Sequence, residues 1–159
     1  MLLEYHMLRG NVHPPYRANP SDAGLDICYS PKNSSSEHHV VIDSGECAII
    51  PTGLKFGVPH GYMLEVKNRS GMAAKRSLLV GACVIDSGYN GEVFVNLHNV
   101  GKNIQYIKPG ERIAQVVLVP VVHFRAVASG KDNLYEWYPI TISDRGDGAL
   151  GSTDDKTNS

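Results

Sequence analysis

Five short stretches of this chain combine residue types that can do chemistry. Arg69-Ser70-Gly71 sets a guanidinium beside a residue that favours helix N-caps, directly ahead of the helix formers Met72, Ala73, Ala74, Lys75 and Arg76. Free N–H groups at a helix start, joined by the fixed donor fork of an arginine, suit a phosphate. Arg145 to Thr153 (RGDGALGST) combines one arginine, three glycines and two adjacent hydroxyls. Its glycines let backbone N–H groups converge on an anion. Val84 to Gly91 (VIDSGYNG) puts the carboxylate of Asp86 at the end of an apolar run and the ring of Tyr89 at a tight turn. Asp86 can serve as a general base, and Tyr89 can stack on a flat or sugar-like ligand. Ser21 to Asp26 supplies two acids near a glycine, a pattern able to orient a hydrated metal. Gly110 to Gln115 offers Gln115 as a ligand contact, with Glu111 and Arg112 as partners for each other. Each stretch also has a plainer reading: a capped helix, a solvated terminus, an aspartate capping its own turn, a simple turn and a strand start.

Strands must position these residues. Gly61–Lys67 alternates Tyr62, Leu64 and Val66 against Met63, Glu65 and Lys67. Glu92–His98 alternates Val93, Val95 and Leu97 against Phe94, Asn96 and His98. Both have the period of two of a half-buried strand. Arg112–Val119, Val40–Ile42 and Cys47–Ile50 are rich in β-branched or apolar residues and read as further strands. Turn signals separate them at Pro51-Thr52-Gly53, Pro59-His60-Gly61, Tyr89-Asn90-Gly91 and Pro109-Gly110. Gly71–Leu78 is the one helical stretch, with Ser70 as its cap. Residues 30–38 form a polar loop, and 154–159 a polar tail. The fold class is therefore all-β, a sandwich or jelly roll with a single short helix.

Composition narrows the function. The chain has 159 residues, 42% hydrophobic and 19% charged, enough for one domain with a real core. A net charge of −1 implies no broad basic surface, which speaks against nucleic acid as a partner. Cys28, Cys47 and Cys83 fit no metal-ligand spacing and read as buried, reduced thiols of an intracellular protein. The seven histidines likewise miss zinc spacings. The first ten residues, MLLEYHMLRG, contain Glu4 and Arg9 and no long apolar run, so no signal peptide and no membrane association are expected. The expected location is the cytoplasm, or the nucleus in a eukaryotic or viral setting.

In order and spacing the five stretches resemble the motifs of the trimeric deoxyuridine triphosphatase (dUTPase) family. The matching segments are Asp22 to Ile27, Arg69 to Lys75, Val80 to Glu92, Gly110 to Gln115 and the C-terminal Arg145 to Thr153. The resemblance covers residues 20–153 and implies a jelly-roll or β-sandwich barrel assembled as a homotrimer, with active sites shared between subunits. A β domain of residues 1–143 would carry a C-terminal arm of residues 144–159. The implied reaction converts dUTP and water to dUMP and pyrophosphate, with Mg²⁺ on the triphosphate. Asp86 would activate the water. Arg69, Ser70, Gly71, Val80, Cys83, Val84, Ile85, Tyr89 and Gln115 would bind substrate, together with Arg145, Leu150, Gly151, Ser152 and Thr153 of the arm. Asp26 would reach the metal through water. Tyr89 would pack under the deoxyribose, and backbone groups of a hairpin from Val80 to Tyr89 would read uracil.

Three positions depart from the family pattern. Leu150 stands where an aromatic stacks on uracil, and Phe94 is a candidate substitute. Cys83 stands where glycine is common, and Asn68 where proline often precedes the arginine, a change that loosens the turn and removes no chemistry. Two alternatives share the fold. A dCTP deaminase would carry a glutamate at the position of Asn96, which shuttles protons poorly. A non-catalytic dUTP-binding regulator would not require Asp86 and Tyr89.

Overall fold

A computed structural model describes residues 1–33, 39–130 and 134. The chain divides into two units, Met1–His123 and Phe124–Ser159. The described residues of the second unit, 124–130 and 134, contain no helix or strand and are exposed. Arg145, Leu150, Gly151, Ser152 and Thr153 lie outside the described residues, as do 34–38 of the polar loop.

The first unit runs β1 (Glu4–Met7), β2 (Leu25–Cys28), β3 (Val40–Ile42), β4 (Cys47–Pro51), β5 (Leu54–Gly57), β6 (Tyr62–Lys67), α1 (Ser70–Arg76), β7 (Leu78–Val80), β8 (Val84–Ile85), β9 (Phe94–Asn99), β10 (Gln105–Ile107) and β11 (Arg112–Pro120). One sheet has the order β2-β11-β6-β8 and a second β4-β9-β7, with two-stranded ladders β1-β5 and β10-β3. Every pairing is antiparallel. The all-β architecture with one short helix is the one expected.

Alternation builds the core. On β9, Val95, Leu97 and Asn99 are buried while Phe94 faces out. On β6, Leu64 and Val66 are buried and Lys67 is exposed. These side chains meet Ile27, Ile50, Leu54, Ile107 and Ile113, all essentially solvent-free. Burial of such side chains supplies most of the driving force for folding. Two of the buried polar side chains are partnered within the same layers. The Asn99 Nδ2 donates to the carbonyls of Ile42 (2.9 Å) and Asn103 (2.8 Å), and Thr52 Oγ1 donates to the carbonyl of Val93 (2.6 Å).

Three local expectations change. The helix is Ser70–Arg76, and Leu78 instead opens β7, where its side chain is fully buried. Ser70 is the first helical residue and not the cap. Arg69 occupies the N-cap position with extended backbone, and no side chain caps the helix there. The C-cap, Ser77, takes the left-handed conformation (φ 53°) and returns its N–H to the Ala73 carbonyl, a role glycine usually fills. Among the cysteines, all free as expected, Cys28 is buried, Cys83 is half-buried and Cys47 is exposed on the outer face of β4.

Candidate functional site

The phosphate-type residues converge at one end of the β2-β11-β6 sheet. Asp26 on β2 lies opposite Gln115 on β11, which lies opposite Lys67, the last residue of β6. The chain then passes through Asn68 to Arg69 and the start of α1. Arg69 Nε donates to Asp26 Oδ1 at 2.8 Å, and Arg112 Nη1 to Asp26 Oδ2 at 3.3 Å. Both oxygens of Asp26 are thus engaged by guanidinium groups. Arg69 Nη1 also donates to the Arg112 carbonyl at 3.2 Å. Ser70 and Gly71 are exposed beside this cluster. Gln115 is positioned by close packing, because a Cβ on Gly24 would collide with its carboxamide.

Glu111 and Arg112 do not pair with each other. Glu111 pairs with Arg76 of the helix and accepts from the Lys108 N–H at 3.0 Å, while Arg112 turns to Asp26 and lies 5.9 Å from the centre of the Tyr16 ring. Beneath the cluster, burial pushes the Cys28 thiol above its ordinary pKa, against the opposing charge of Arg112.

Asp86 and Tyr89 form a second locus. Asp86 follows β8, and its backbone carbonyl accepts the Tyr89 N–H at 3.2 Å, closing a turn with Gly88 at φ 88°. That positive angle at the third turn position is type II geometry, which favours glycine. The Asp86 carboxylate is exposed and makes no hydrogen bond or ion pair among the described residues, so it does not cap its own turn. Tyr89 folds its ring over Gly91, where any Cβ would strike it, and donates its hydroxyl to the Glu92 carbonyl at 2.9 Å. Asp86, Tyr89, Val84, Ile85, Glu92 and Phe94 line a cavity of about 230 Å³. Phe94, the candidate aromatic, therefore shares a wall with Asp86 and Tyr89.

The segment expected as a hairpin is not one. β7 pairs with β9 and β8 with β6, so residues 81–83 cross from one sheet to the other. Val80 ends β7 half-buried, and Gly81 donates its N–H to the Asn96 carbonyl at 2.9 Å. A Cβ on Gly81 would collide with Asn96 Oδ1 and His98 Nε2, which accounts for glycine there. The half-buried Cys83 accepts the Val66 N–H through its carbonyl at 2.7 Å, Val84 is exposed and Ile85 is buried. Among the described residues, Asn96 Oδ1 is buried without a partner; the sequence comparison with dCTP deaminases points to this position for their glutamate.

The two loci are separate within one chain. Ile85 pairs with Leu64, three positions along β6 from Lys67, and β8 lies three strands from β2. That puts the neighbourhoods of Asp26 and Asp86 about 10 Å apart along the strands and about 14 Å apart across them. Asp86 and Asp26 cannot both serve one phosphate from the same chain.

Two contributors carry no motif signature. The Asn68 side-chain Oδ1 accepts the Val80 N–H at 2.7 Å, and its carbonyl accepts from Gln115 Nε2 at 2.9 Å. The asparagine in place of proline thus adds one side-chain contact, to the Val80 N–H, rather than only loosening a turn. Arg9 braces Glu92 behind the Asp86 cavity from far away in sequence. The only signs available beforehand were that Asn68 adjoins the Arg69 motif and that Glu92 closes the segment from Val80.

Among the described residues no helix is long and apolar enough to cross a membrane, and no three metal-ligating side chains cluster. A sequence model of the dUTPase family matches residues 10–153. A deoxyuridine 5'-triphosphate nucleotidohydrolase of Chlamydia pneumoniae is 38% identical over 146 residues, covering 91% of this chain and 92% of the relative. One from an Azoarcus species is 36% identical over 150 residues, covering 91% of each. Among solved structures, a variant dUTPase of Staphylococcus bacteriophage 80alpha with dUpNHpp superposes with a TM-score of 0.79 at 26% identity, covering 96% of this chain and 98% of that one. A variant dUTPase from phage phi11 of S. aureus, described with a coordinated structural Mg(II) ion, gives 0.71 at 25% identity over 82% and 98%. The chain belongs to the dUTPase family and hydrolyses dUTP.

Proposed function

We propose that hydrolysis proceeds by attack of an Asp86-activated water on the α-phosphorus of dUTP, in a site assembled between copies of the chain in a homotrimer. The observation that carries this reading is the Asp86 carboxylate, unpaired beside the Tyr89 ring in a cavity of nucleoside size. The Asp86 carboxylate is the base of this reading. It takes a proton from water as the new P–O bond forms. The bond from the α-phosphorus to the bridging oxygen breaks, and pyrophosphate departs with the electron pair. Because an aspartate is a weak base toward water, most of the acceleration must come from alignment and from neutralising the developing charge.

Arg69, Ser70, Gly71 and Gln115 hold the phosphates. Tyr89 packs under the deoxyribose, where a 2'-hydroxyl would clash. Val80, Cys83, Val84 and Ile85 carry the backbone groups that read uracil. Arg145, Leu150, Gly151, Ser152 and Thr153 close over the substrate as the arm of residues 144–159. Phe94 offers the aromatic surface that Leu150 lacks. The wide separation of the Asp26–Arg69–Gln115 cluster from Asp86 supports a site completed by a second copy.

The donor set fits Mg²⁺ carried by the triphosphate better than an ion caged by protein. One carboxylate is present, its oxygens already paired with arginines, and Mg²⁺ on nucleotides keeps several waters. Asp26 would accept a hydrogen bond from one such water. Bound there, the ion would offset the negative charge of the phosphate oxygens.

The test is a nucleotide panel of dUTP, dCTP, dTTP and UTP with Mg²⁺, run with wild type and Asp86→Asn. Pyrophosphate release from dUTP alone, cut at least about a hundredfold in the variant while dUTP still binds, is the expected result. Undiminished turnover in Asp86→Asn removes the base from Asp86, and ammonia from dCTP would indicate deamination.

A further inference from the structure

Lys67 closes β6 directly across from Gln115 on β11, which in turn stands across from Asp26 on β2. Residues paired across antiparallel strands point to the same face, so these three side chains form one row. Leu64 and Val66 fill the core, which leaves Lys67 on the outer face with Asp26 and Gln115. Arg69, two residues further on, holds Asp26 from the same end of the sheet.

The cations around this row are not equally committed. Arg69 and Arg112 are both tied to Asp26. Lys67 rests its ammonium on Glu65 Oε1 at 2.6 Å, a neighbour two positions back on the same strand and face. The hydrogen bond with Glu65 raises the Lys67 pKa above its ordinary value, so the ammonium keeps its charge at neutral pH. Both side chains reach solvent, and an exposed pair of this kind contributes little to folding. A triphosphate carries more negative charge than two guanidinium groups offset while a carboxylate engages them. A lysine brings phosphate a point charge on a flexible stem.

We propose that Lys67 is a further substrate-binding residue, its ammonium passing from Glu65 to the phosphates of dUTP when the nucleotide arrives beside Gln115. The assignment rests on the reading of Arg69 and Gln115 as phosphate contacts. It asks nothing of the base-reading segment of the same chain, because Asp26, Lys67, Arg69 and Gln115 sit together whichever copy supplies Asp86. Glu65 holds the lysine ready in the free protein and yields it to a more highly charged anion.

Binding to the full-length chain is read with dUpNHpp, whose imido bridge resists hydrolysis, in the presence of Mg²⁺. Lys67→Ala should weaken dUpNHpp roughly three- to tenfold and keep kcat for dUTP within about twofold. Lys67→Arg should stay within about twofold of wild type, since arginine also pairs with phosphate. Glu65→Gln should bind dUpNHpp as well as wild type or better, whereas a merely structural pair would make it as weak as Lys67→Ala. Deoxyuridine, which has no phosphate, should bind wild type and Lys67→Ala equally. Unchanged dUpNHpp affinity in Lys67→Ala overturns the proposal, as does a parallel loss in Glu65→Gln or an equal weakening of deoxyuridine. Arg69→Ala, titrated alongside, reads the phosphate assignment on its own. Wild-type affinity there refutes that assignment, whereas weakened binding there beside an unaffected Lys67→Ala refutes the role of Lys67 alone.

Discussion

Arg9 and Glu92, 83 residues apart, form a two-pronged ion pair behind the Asp86 cavity, with Nη2 to Oε1 at 2.7 Å and Nη1 to Oε2 at 3.3 Å. The Gly53 N–H is the carboxylate's third donor, 2.8 Å from Oε1. Arg9 also donates to the carbonyls of Ser30 (2.7 Å) and Pro31 (3.2 Å). The pair thus ties the first loop, the β4–β5 turn and the loop after Tyr89 to one point.

Acid should loosen that point. Burial alone would raise the Glu92 carboxyl, but the hydrogen bonds from Arg9 and Gly53, aided by the charges of Arg9 and Lys32, hold it below its ordinary 4.5. A carboxyl depressed on folding contributes stability above its unfolded pKa and loses it as pH falls through the folded value. Wild-type melting temperature should therefore drop on acidification below about pH 4.5, and Glu92→Gln should drop less. At neutral pH the variant should be less stable by about 2 kcal/mol, since Arg9 keeps its burial and loses its counter-charge. Calorimetry across pH checks both. A variant with the wild-type acid slope would assign the acid response to other groups.

If Tyr89 packs under the sugar as proposed, Gly91 bears on that contact through the ring it admits. Any Cβ there meets the Tyr89 phenol, so Gly91→Ala should swing the ring off the Glu92 carbonyl. Loss of an aromatic face of this kind corresponds to a rise in KM for dUTP of roughly three- to tenfold. UTP should gain relative to dUTP, because the surface proposed to exclude a 2'-hydroxyl has moved. Steady-state kinetics with both nucleotides would show this, and an unaltered dUTP to UTP ratio would separate Tyr89 from sugar selection.

A shared site makes a prediction about mixtures. Asp86→Asn and Arg69→Ala should each be nearly inactive alone. Dissociated together and reassembled in equal amounts, they should regain about a quarter of wild-type activity, the fraction of interfaces that combine one intact Asp86 with one intact Arg69. Mixtures no more active than the separate variants would put both residues of a working site in one chain.

Where side chains alternate between core and solvent, the strands were readable. Val95 and Leu97 on β9, and Leu64 and Val66 on β6, fall on the predicted inner faces because each sheet buries one side. β1 gave no such signal, since Glu4, Tyr5, His6 and Met7 are all exposed. β2 was hidden by length and by Asp26, a charge in a four-residue strand that the two guanidinium groups offset. The same logic divides the site. Asp86, Tyr89, Arg69 and Gln115 are visible because their chemistry is local to a motif. The bond between Asn68 and Val80 and the pair of Arg9 with Glu92 join residues 12 and 83 positions apart, which no local pattern encodes. The exposure of Cys47 was missed because thiols are usually buried, whereas β4 turns this one outward.

The passage of residues 81–83 from one sheet to the other has a consequence for how damage would spread. The same short strap is fastened to both layers, at Asn96 on one and Val66 on the other. A slip between the layers, too slight to unravel either, would be transmitted straight to the segment proposed to read the nucleobase. Discrimination among pyrimidines should therefore fail earlier than folding does, and the enzyme's fidelity becomes a gauge of how well its two halves are seated.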